Sequence, residues 1–400
     1  MAYKRREIKD ITIYDSKKAY DGYTLIAPMW ERNAWLINMK GQVVKKWSFD
    51  TMPGNHCVLL SNGNILWIGR GESKIKGFDG MATELVEKDW DGNEVWRYDD
   101  PYLNHDFARL KNGNTIINRY VKVPEKIANN IKGGLAKSEV DGSIWSCSFQ
   151  EITKEREIVW EWNHYEHLNP AEDILCPLCP RSIWGYTNAI DVLPDGNILF
   201  TLRFLNTIAI LDKKSGKIIW RGGPEYGLGH PHNPTFLENG NILVFDNGLH
   251  RIPPKGAPIA LSEEEFSRVV EIDPKSNKIV WQYEDQLNYF YSPICGGAQK
   301  LENGNTLICE TTKGRIFEVT QENEIVWEYL NPFLALRPAY WMFKESLVAW
   351  VFQAHRYSPD YNGLKDKDLD PEKFEWVVNR KKAKKEGKKK ILERLKNLGY

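Results

Sequence analysis

The stretch HNPTFLENGNILVFDNG (232–248) contains two apolar segments joined by the tight turn ENGN. Asn-Gly supplies the positive φ angles of a two-residue β-hairpin turn, so the stretch predicts two antiparallel strands. The same pattern occurs four more times in the chain. Those copies are NHCVLLSNGNILWIGR (55–70), HDFARLKNGNTIINR (105–119), NAIDVLPDGNILFTLR (188–203) and GGAQKLENGNTLICET (296–311). A unit that recurs in this way predicts a repeat fold.

Each of these hairpins is followed by a second hairpin whose last strand contains tryptophan. The five second hairpins are VEKDWDGNEVWRYDD (86–100), ITKEREIVWEWNH (152–164), ILDKKSGKIIWRGG (210–223), VEIDPKSNKIVWQYED (270–285) and FEVTQENEIVWEYL (317–330). The segment AWLINMKGQVVKKWSF (34–49) is a sixth copy of that half. Four short strands per unit are typical of a β-propeller blade. We therefore predict an all-β, six-bladed β-propeller over residues 1–363, in which SLVAWVFQAH (346–355) is one candidate strand to complete the N-terminal half blade.

The charge of the chain is zero overall but unevenly distributed. Residues 380–400 contain ten Lys and Arg against two Glu, so the charged tail at 364–400 is expected to include a short basic helix. A solvated helix is the favoured interpretation over a contact with nucleic acid or anionic lipid. The N-terminus has no apolar signal region, and no run of eighteen apolar residues occurs. We expect a cytoplasmic protein without a membrane span or nucleic-acid partner; its oligomeric state stays open.

Equivalent positions of the repeat carry polar side chains. In a propeller the first strand of each blade lines the central channel, so residues at the same phase converge at one level of that channel. Each of the five turns contains a triplet, NGN or DGN. The position seven residues before the first residue of this turn triplet holds Asn55, His105, Asn188, His232 and Gly296, and His56 follows Asn55. Arg70, Arg119 and Arg203 end the next strand in three of the blades. Histidines with arginines predict an anion pocket for a sulfate or phosphate group, although such polar residues can also simply bond to one another.

One part of the chain resembles a known family. The segment TNAIDVLPDGNILFTLRFLNTIAILDKKSGKIIWRGG (187–223), followed by GHPHNPTFLENGNILVFDNG (229–248), resembles the arylsulfate sulfotransferases, which are six-bladed propellers. The resemblance extends over roughly 20–363 and includes VFQAHRYSPDY (351–361). It implies a PAPS-independent enzyme that needs no cofactor. Such an enzyme transfers a sulfuryl group from a small anionic aryl ester to a phenolic or related acceptor through a covalent sulfo-histidine.

The resemblance also implies roles for individual residues. His232 falls on the nucleophilic histidine, Arg203 on the stabilising arginine and Asn188 on the channel asparagine. His105 falls on a further channel histidine. A neutral imidazole can attack sulfur and divide a difficult transfer into two steps. A cation and a hydrogen-bond donor beside it would neutralise charge on the sulfuryl oxygens.

The chain departs from the family pattern at Tyr186, where the family usually has histidine. A tyrosine can donate a hydrogen bond or act as a general acid, but its pKa near ~10 makes it a poor cation. His56, Arg119 and Arg356 are further candidates for substrate binding. Two other functions stay open. One is a metal-dependent hydrolase or lyase that uses the channel histidines, and the other is a non-catalytic propeller that binds a protein partner.

A second cluster of chemically active residues lies in HYEHLNPAEDILCPLC (164–179). His164 and His167 form one pair, and Cys176 and Cys179 form another. Two such pairs could hold a structural zinc ion, although loop packing or a redox-active cysteine pair would give the same pattern. His250 and His355 are interpreted as loop or packing histidines.

Overall fold

The computed structural model describes residues 10–71, 74–75, 82–251, 266–286, 289–338 and 344–373. In chain order the strands are β1 (Ile11–Tyr14), β2 (Tyr23–Pro28), β3 (Asn33–Ile37), β4 (Val43–Ser48), β5 (Met52–Leu59), β6 (Ile65–Arg70), β7 (Glu84–Lys88), β8 (Glu94–Asp99), β9 (Leu103–Arg109), β10 (Thr115–Lys122), β11 (Gly133–Leu135), β12 (Trp145–Ile152), β13 (Ile158–Asn163), β14 (Leu175–Pro180), β15 (Ile190–Val192), β16 (Ile198–Leu202), β17 (Thr207–Asp212), β18 (Lys217–Gly222), β19 (His232–Phe236), β20 (Ile242–Asp246), β21 (Arg268–Asp273), β22 (Lys278–Tyr283), β23 (Gly297–Lys300), β24 (Thr306–Glu310), β25 (Arg315–Val319), β26 (Ile325–Leu330), β27 (Ala335–Arg337), β28 (Ser346–Val348) and β29 (Val351–Tyr357). A single turn of α-helix, α1 (Glu125–Ala128), follows β10.

Six antiparallel sheets form the blades of a propeller, as the repeat predicts. From the innermost strand outward they are β29-β2-β3-β4, β5-β6-β7-β8, β9-β10-β12-β13, β15-β16-β17-β18, β19-β20-β21-β22 and β23-β24-β25-β26-β1. We number these blades 1 to 6. The innermost strand of each blade contacts that of the next, and the contact of β29 with both β23 and β5 completes the circle. Two small sheets, the parallel pair β11-β14 and the antiparallel pair β27-β28, lie outside the blades.

The circle is closed by both ends of the described chain. The C-terminal strand β29 is the innermost strand of blade 1, where Leu25 lies opposite His355, so the predicted closing strand is confirmed. The N-terminal strand β1 adds a fifth, outermost strand to blade 6 by pairing with β26. A buried ion pair joins the two closing blades, with Arg356 Nη1 2.6 Å from Glu318 Oε2. Two separate strand additions therefore connect blade 1 to blade 6.

The five predicted hairpin turns are present, but their type differs from the prediction. In each turn only the glycine has positive φ, at 86° to 90°, and the residue before it does not. In blade 2, for example, Gly63 N donates to Leu60 O at 2.9 Å while Leu60 N donates to Asn64 O at 2.7 Å. This pattern is a turn followed by a glycine bulge, a common alternative to the two-residue hairpin. Glycine is needed there because an L side chain is strained at that φ.

The repeated tryptophans connect neighbouring blades. In five of the blades the fourth strand, counted from the channel, carries a tryptophan whose indole Nε1 donates to a backbone carbonyl of the next blade. The accepting carbonyl lies in the turn between the third and fourth strands of that next blade. The bonds are Trp47 to Asp89 (3.1 Å), Trp96 to Lys154 (2.8 Å), Trp162 to Gly216 (2.9 Å), Trp281 to Gln321 (3.0 Å) and Trp327 to Met39 (2.9 Å). A large apolar ring with one polar handle suits such a partly buried position. The tryptophan of the sequence repeat thus links each of these five blades to the next.

The segment after the last blade strand packs onto blades 1 and 2. Leu364 is buried in the same cluster as Trp47 and Trp67. Short 3₁₀ turns occur at Asn362–Leu364 and Pro371–Lys373. The basic helix predicted near the C-terminus lies outside the described residues. No helix in the described part of the chain is long and apolar enough to cross a membrane.

Candidate functional site

The predicted ring of polar residues lies on or beside the innermost strands. Asn55 and His56 are in β5, His105 is in β9, and His232 is the first residue of β19. The backbone departs from regular strand geometry at this level, with positive φ at Asn55 (131°), His105 (44°) and Asn233 (45°). Non-glycine residues in such conformations are uncommon and cost free energy, which the surrounding structure must offset. The bulges turn the polar side chains of this level away from the regular strand direction.

His105 and His232 belong to one cluster. Their ring centroids lie 5.9 and 6.0 Å from the ring of Phe352, which is on β29. Both imidazoles are buried. Burial is the main cause that lowers the pKa of each, and the charge of Arg203 lowers the pKa of both further. Both histidines are therefore neutral at physiological pH, and both lie beside Phe352.

The tautomer of His232 is set by Asn247. Nδ1 of His232 lies 2.6 Å from Asn247 Oδ1. The amide nitrogen of Asn247 is already used, because it donates to the carbonyls of Ser292 (2.7 Å) and Cys295 (2.6 Å). The oxygen must then face His232, so Nδ1 carries the proton and donates it to Asn247. The lone pair is on Nε2, which forms no hydrogen bond with the described residues.

Arg203 supplies positive charge near His232. It lies in the 3₁₀ turn Arg203–Leu205 directly after β16, and its backbone nitrogen donates to Tyr186 O at 2.7 Å. The guanidinium carbon is 5.1 Å from the Phe204 ring centroid and 6.0 Å from that of Tyr186. Within the described residues no carboxylate forms an ion pair with Arg203. A guanidinium without a carboxylate partner is well suited to bind an oxyanion.

His105 has the same kind of support as His232. Its Nδ1 is hydrogen-bonded to Asn104 Oδ1, and the Asn104 amide nitrogen donates to Thr187 O at 2.9 Å. The proton of His105 is therefore on Nδ1, and its Nε2 accepts the hydroxyl of Tyr186 at 3.1 Å. The ring of Tyr186 stands edge-on to that of His105, with centroids 5.2 Å apart. Tyr186 thus connects His105 to Arg203 on one side of the cluster.

His56 belongs to a separate group of titratable side chains that are hydrogen-bonded in series. Its Nδ1 is paired with the buried carboxylate of Asp106, and its Nε2 is 3.1 Å from His355 Nε2. Asp106 also accepts the backbone nitrogen of Ile190 at 2.8 Å. Burial lowers the pKa of His355 to about 3. His355 was expected to be a packing residue, and the structure places it instead in contact with one of the channel histidines.

Three predicted site residues are already bonded within the protein. Arg119 forms an ion pair with Asp100, with Nε 2.8 Å from Oδ2. Arg356 is buried in the ion pair that joins blades 1 and 6. Each arginine already has a carboxylate partner, which disfavours the predicted role in binding a substrate anion. Asn188 accepts Thr201 Oγ1 at 2.9 Å and donates to the carbonyl of Pro231 at 3.2 Å, so it holds the backbone just before His232.

The family model described as Arylsulfotransferase (ASST) matches residues 56–332, which is more than half of the chain. The chain belongs to the arylsulfotransferase family. None of the curated protein sequences compared with it matches. A crystal structure of a protein of unknown function from Bacteroides caccae is 15% identical over 77% of this chain and 93% of that chain, with a TM-score of 0.50. That similarity is one of fold alone.

Two further solved structures are similar at lower TM-scores. Hydrazine synthase from Kuenenia stuttgartiensis is 12% identical over 80% of this chain and 79% of that chain, with a TM-score of 0.47. A catalytically inactive virginiamycin B lyase from Staphylococcus aureus with quinupristin is 13% identical over 82% of this chain and 90% of that chain, with a TM-score of 0.43.

The supporting asparagines of this arylsulfotransferase-family protein were not predicted. Asn247 is the third residue of the FDNG turn, which the sequence marks only as part of the resemblance. Asn104 directly precedes His105 and could have been noticed as an Asn-His pair. Asp106 follows the same histidine but bonds to His56 of the neighbouring blade. Asn247 and Asp106 are difficult to predict because each bonds to a histidine on another strand or blade.

A second cluster contains four metal-type ligands close to His232. The sulfurs of Cys176 and Cys179 and one ring nitrogen each of His230 and His250 all lie within 4.8 Å of one another. Cys176 Sγ is 3.5 Å from His250 Nδ1, and Cys179 Sγ is 3.3 Å from His230 Nε2. Neighbouring groups, with the Cys179 thiol first, lower the pKa of the Cys176 thiol well below its usual range. The described residues contain no other such group of three or more.

The histidines predicted to join these cysteines lie elsewhere. His164 Nε2 donates to Thr187 Oγ1 at 2.9 Å within the core between blades 3 and 4. His167 stacks on Trp162, with ring centroids 4.6 Å apart. Of the four predicted zinc ligands, the two cysteines therefore lie in a cluster of possible metal ligands. The histidines of that cluster are His230 and His250, and not the predicted His164 and His167. The interpretation of His250 as a simple loop histidine is also revised by this cluster.

Buried His164 is expected to make the protein sensitive to acid. Burial lowers its pKa to about 3, against about 6.5 in an unfolded chain. Between these values the unfolded state binds one more proton, so the free energy of unfolding falls as pH falls, by about 1.4 kcal/mol per pH unit for this group. The Cys147 backbone opposes this lowering of the pKa. The other groups around the ring are Thr187, His167 and three aromatic side chains, Phe149, Trp162 and Phe200.

We therefore expect His164→Gln to reduce the slope of unfolding free energy against pH between pH 6 and 4 by about 1.4 kcal/mol per pH unit. Denaturant unfolding at several pH values measures this slope independently of any loss in absolute stability. His167→Ala is the control because His167 is exposed. Burial lowers the pKa of His167 as well, so this variant should change the slope, but by less than His164→Gln. An unchanged slope in His164→Gln would contradict the assignment of a neutral buried imidazole.

Proposed function

We propose that this arylsulfotransferase-family protein transfers a sulfuryl group from an aryl sulfate to a phenolic acceptor, with His232 Nε2 as the nucleophile. The observation that carries the proposal is the pairing of His232 with Asn247. It leaves the imidazole neutral, with its lone pair on Nε2, and Arg203 lies nearby as a cation without a carboxylate partner. A nucleophile and an oxyanion-binding group together are what a sulfuryl transfer requires.

The proposed reaction has two steps. The lone pair of Nε2 forms a bond to sulfur, the bond between sulfur and the aryl oxygen breaks, and the aryloxide leaves with the electron pair. The acceptor oxygen then attacks the same sulfur, the N–S bond breaks, and the imidazole recovers its lone pair. The sulfo-imidazole keeps its Nδ1 proton, which Asn247 accepts as a hydrogen bond. Arg203 is proposed to neutralise the sulfuryl oxygens in both steps.

Tyr186 is proposed to exchange protons with the two phenols. Its hydroxyl donates to the neutral His105, which holds the tyrosine in place. A tyrosine and a phenol have similar pKa values near ~10, so proton transfer between them is close to thermoneutral in either direction. Tyr186 would protonate the leaving aryloxide and then receive the proton of the acceptor. This role explains why tyrosine at this position is compatible with transfer between phenols.

The structure gives less support to a metal-dependent reaction in the channel. His56, His105 and His232 each have a different hydrogen-bond partner, namely Asp106, Asn104 and Asn247. Among the described residues they do not form a group of metal ligands. A non-catalytic propeller is the remaining alternative, and the experiment below separates it from the proposed transferase.

We expect the protein to acquire one sulfuryl group when it is mixed with 4-nitrophenyl sulfate and quenched. Intact mass spectrometry and peptide mapping should locate the adduct on the peptide that contains His232, with release of 4-nitrophenol. Added phenol should then discharge the adduct. Neither an adduct nor release of nitrophenol by the wild-type protein would overturn the proposal and favour the non-catalytic alternative.

A matched pair of variants tests the proposed role of the Arg203 guanidinium. Arg203→Lys should lower the rate of nitrophenol release by about 10²- to 10³-fold if the planar guanidinium stabilises the transition state. Arg119→Lys changes an arginine at a near-equivalent place of blade 3, where the side chain is bonded to Asp100, and should leave the rate unchanged. Equal rates in the two variants would exclude the proposed role of Arg203.

A further inference from the structure

Four metal-type side chains from three separate segments meet beside the channel cluster. Cys176 and Cys179 are on β14, in the excursion between blades 3 and 4. His230 lies just before β19, and His250 follows β20. Both cysteines and His230 are buried, and neither cysteine forms a disulfide. Three distant segments would not place four such groups around one point for packing alone.

The spacing of the four atoms fits a tetrahedral zinc ion. Zinc bonds of about 2.3 Å to sulfur and about 2.0 Å to nitrogen, at tetrahedral angles, place a sulfur and a nitrogen ligand roughly 3.5 Å apart. The three short sulfur-to-nitrogen distances of the cluster are 3.3, 3.5 and 3.5 Å. We propose that Cys176, Cys179, His230 and His250 bind a structural zinc ion.

The donor set favours zinc over other ions and over catalysis. Two thiolates with two imidazoles form one of the common structural zinc sites, whereas magnesium and calcium prefer oxygen ligands. Four protein ligands leave no open position for water or substrate, so the site is closed. Two thiolates also balance the charge of a divalent ion, which suits a buried site close to the positive charge of Arg203.

The ligands are held by strained backbone and by a shared asparagine. His230 and His250 both have φ of 53°, an uncommon conformation for a residue with a side chain. Asn206 contacts both segments, since its Oδ1 accepts the His230 nitrogen at 2.9 Å and its Nδ2 is 3.5 Å from the His250 carbonyl. Zinc binding would offset the cost of these backbone conformations.

The site would also hold the nucleophile in place. His230 precedes His232 by two residues, and the His230 carbonyl lies 3.2 Å from His232 Nδ1. A zinc ion bound to the His230 side chain would therefore fix one end of the segment that carries His232. This consequence rests on the proposed function, but zinc binding itself does not.

The test is the metal content of the full-length protein, purified without a polyhistidine tag. Elemental analysis should find one zinc ion per chain, and His250→Ala should lower this content more than tenfold. His167→Ala is the matched control and should retain one zinc ion, because its ring stacks on Trp162 away from the cysteines. Loss of zinc in His167→Ala with retention in His250→Ala would overturn the proposed ligand set.

A second measurement covers the case in which a variant fails to fold. Wild-type protein reconstituted with Co²⁺ should show the intense absorption of sulfur-to-cobalt charge transfer and the visible bands of tetrahedral cobalt. Absence of metal in the wild-type protein, or a disulfide between Cys176 and Cys179 in freshly purified protein, would overturn the proposal. Both readouts are independent of catalysis, so they distinguish a failure of the zinc site from a failure of the transferase function.

Discussion

Replacing His232 with alanine is expected to abolish transfer from 4-nitrophenyl sulfate to phenol. Loss of a covalent nucleophile removes the two-step route, and comparable removals lower kcat by about 10⁴-fold or more. The variant should also acquire no sulfuryl adduct. Steady-state rates and intact mass give the two readouts, and a thermal melt checks that the propeller is folded.

His167→Ala is the matched histidine control, since His167 lies outside the channel cluster, and it should retain the wild-type rate. A second variant tests the support of the nucleophile. Asn247→Ala should lower kcat by about 10²-fold with little change in KM, because the imidazole is then misplaced but still present. Transfer by His232→Ala at a rate within tenfold of wild type would exclude His232 as the nucleophile.

Of the proposed variants, Arg356→Ala is expected to lower the free energy of unfolding the most. Arg356 is fully buried, and its guanidinium bonds to Glu318, Thr24 Oγ1 and the Tyr20 carbonyl. Removing one partner leaves the Glu318 carboxylate buried without its cation, which typically costs about 3–5 kcal/mol. Denaturant unfolding monitored by tryptophan fluorescence measures the change in the free energy of unfolding.

The double variant Arg356→Met with Glu318→Leu separates loss of the pair from loss of packing. Replacing both charges with apolar side chains of similar size is often neutral or stabilising, so this variant should be more stable than Arg356→Ala. Arg97→Ala is a control at a partly exposed ion-pair network on blade 2, where the cost should be about 1 kcal/mol or less. A cost below about 1 kcal/mol for Arg356→Ala would show that the pair contributes little to closing the propeller.

Much of the fold was predictable because each blade is a local unit. The five turn triplets and the six tryptophan strands mark the blades directly, and the segment 346–355, one candidate for the closing strand, contains most of β29. The addition of β1 to blade 6 was not predicted, because a short outer strand without a turn triplet gives no repeat signal. The turn type was predicted incorrectly, since Asn-Gly is compatible with both a two-residue turn and a glycine bulge.

The sequence by itself determined the number of blades and the phase that places His56, His105 and His232 on or at the start of inner strands. The reason is that the same strand-turn-strand pattern recurs in five of the blades, and that side chains alternate along a strand. Only the tertiary structure decided which side chains are bonded to which. Arg119 and Arg356 have the same charge as Arg203, yet each meets a buried carboxylate and Arg203 does not. Cys176 and Cys179 meet His230 and His250 from other segments instead of His164 and His167 nearby in the sequence. The physical reason is that hydrogen bonds and ligand clusters depend on distances between blades and loops, which linear spacing does not encode.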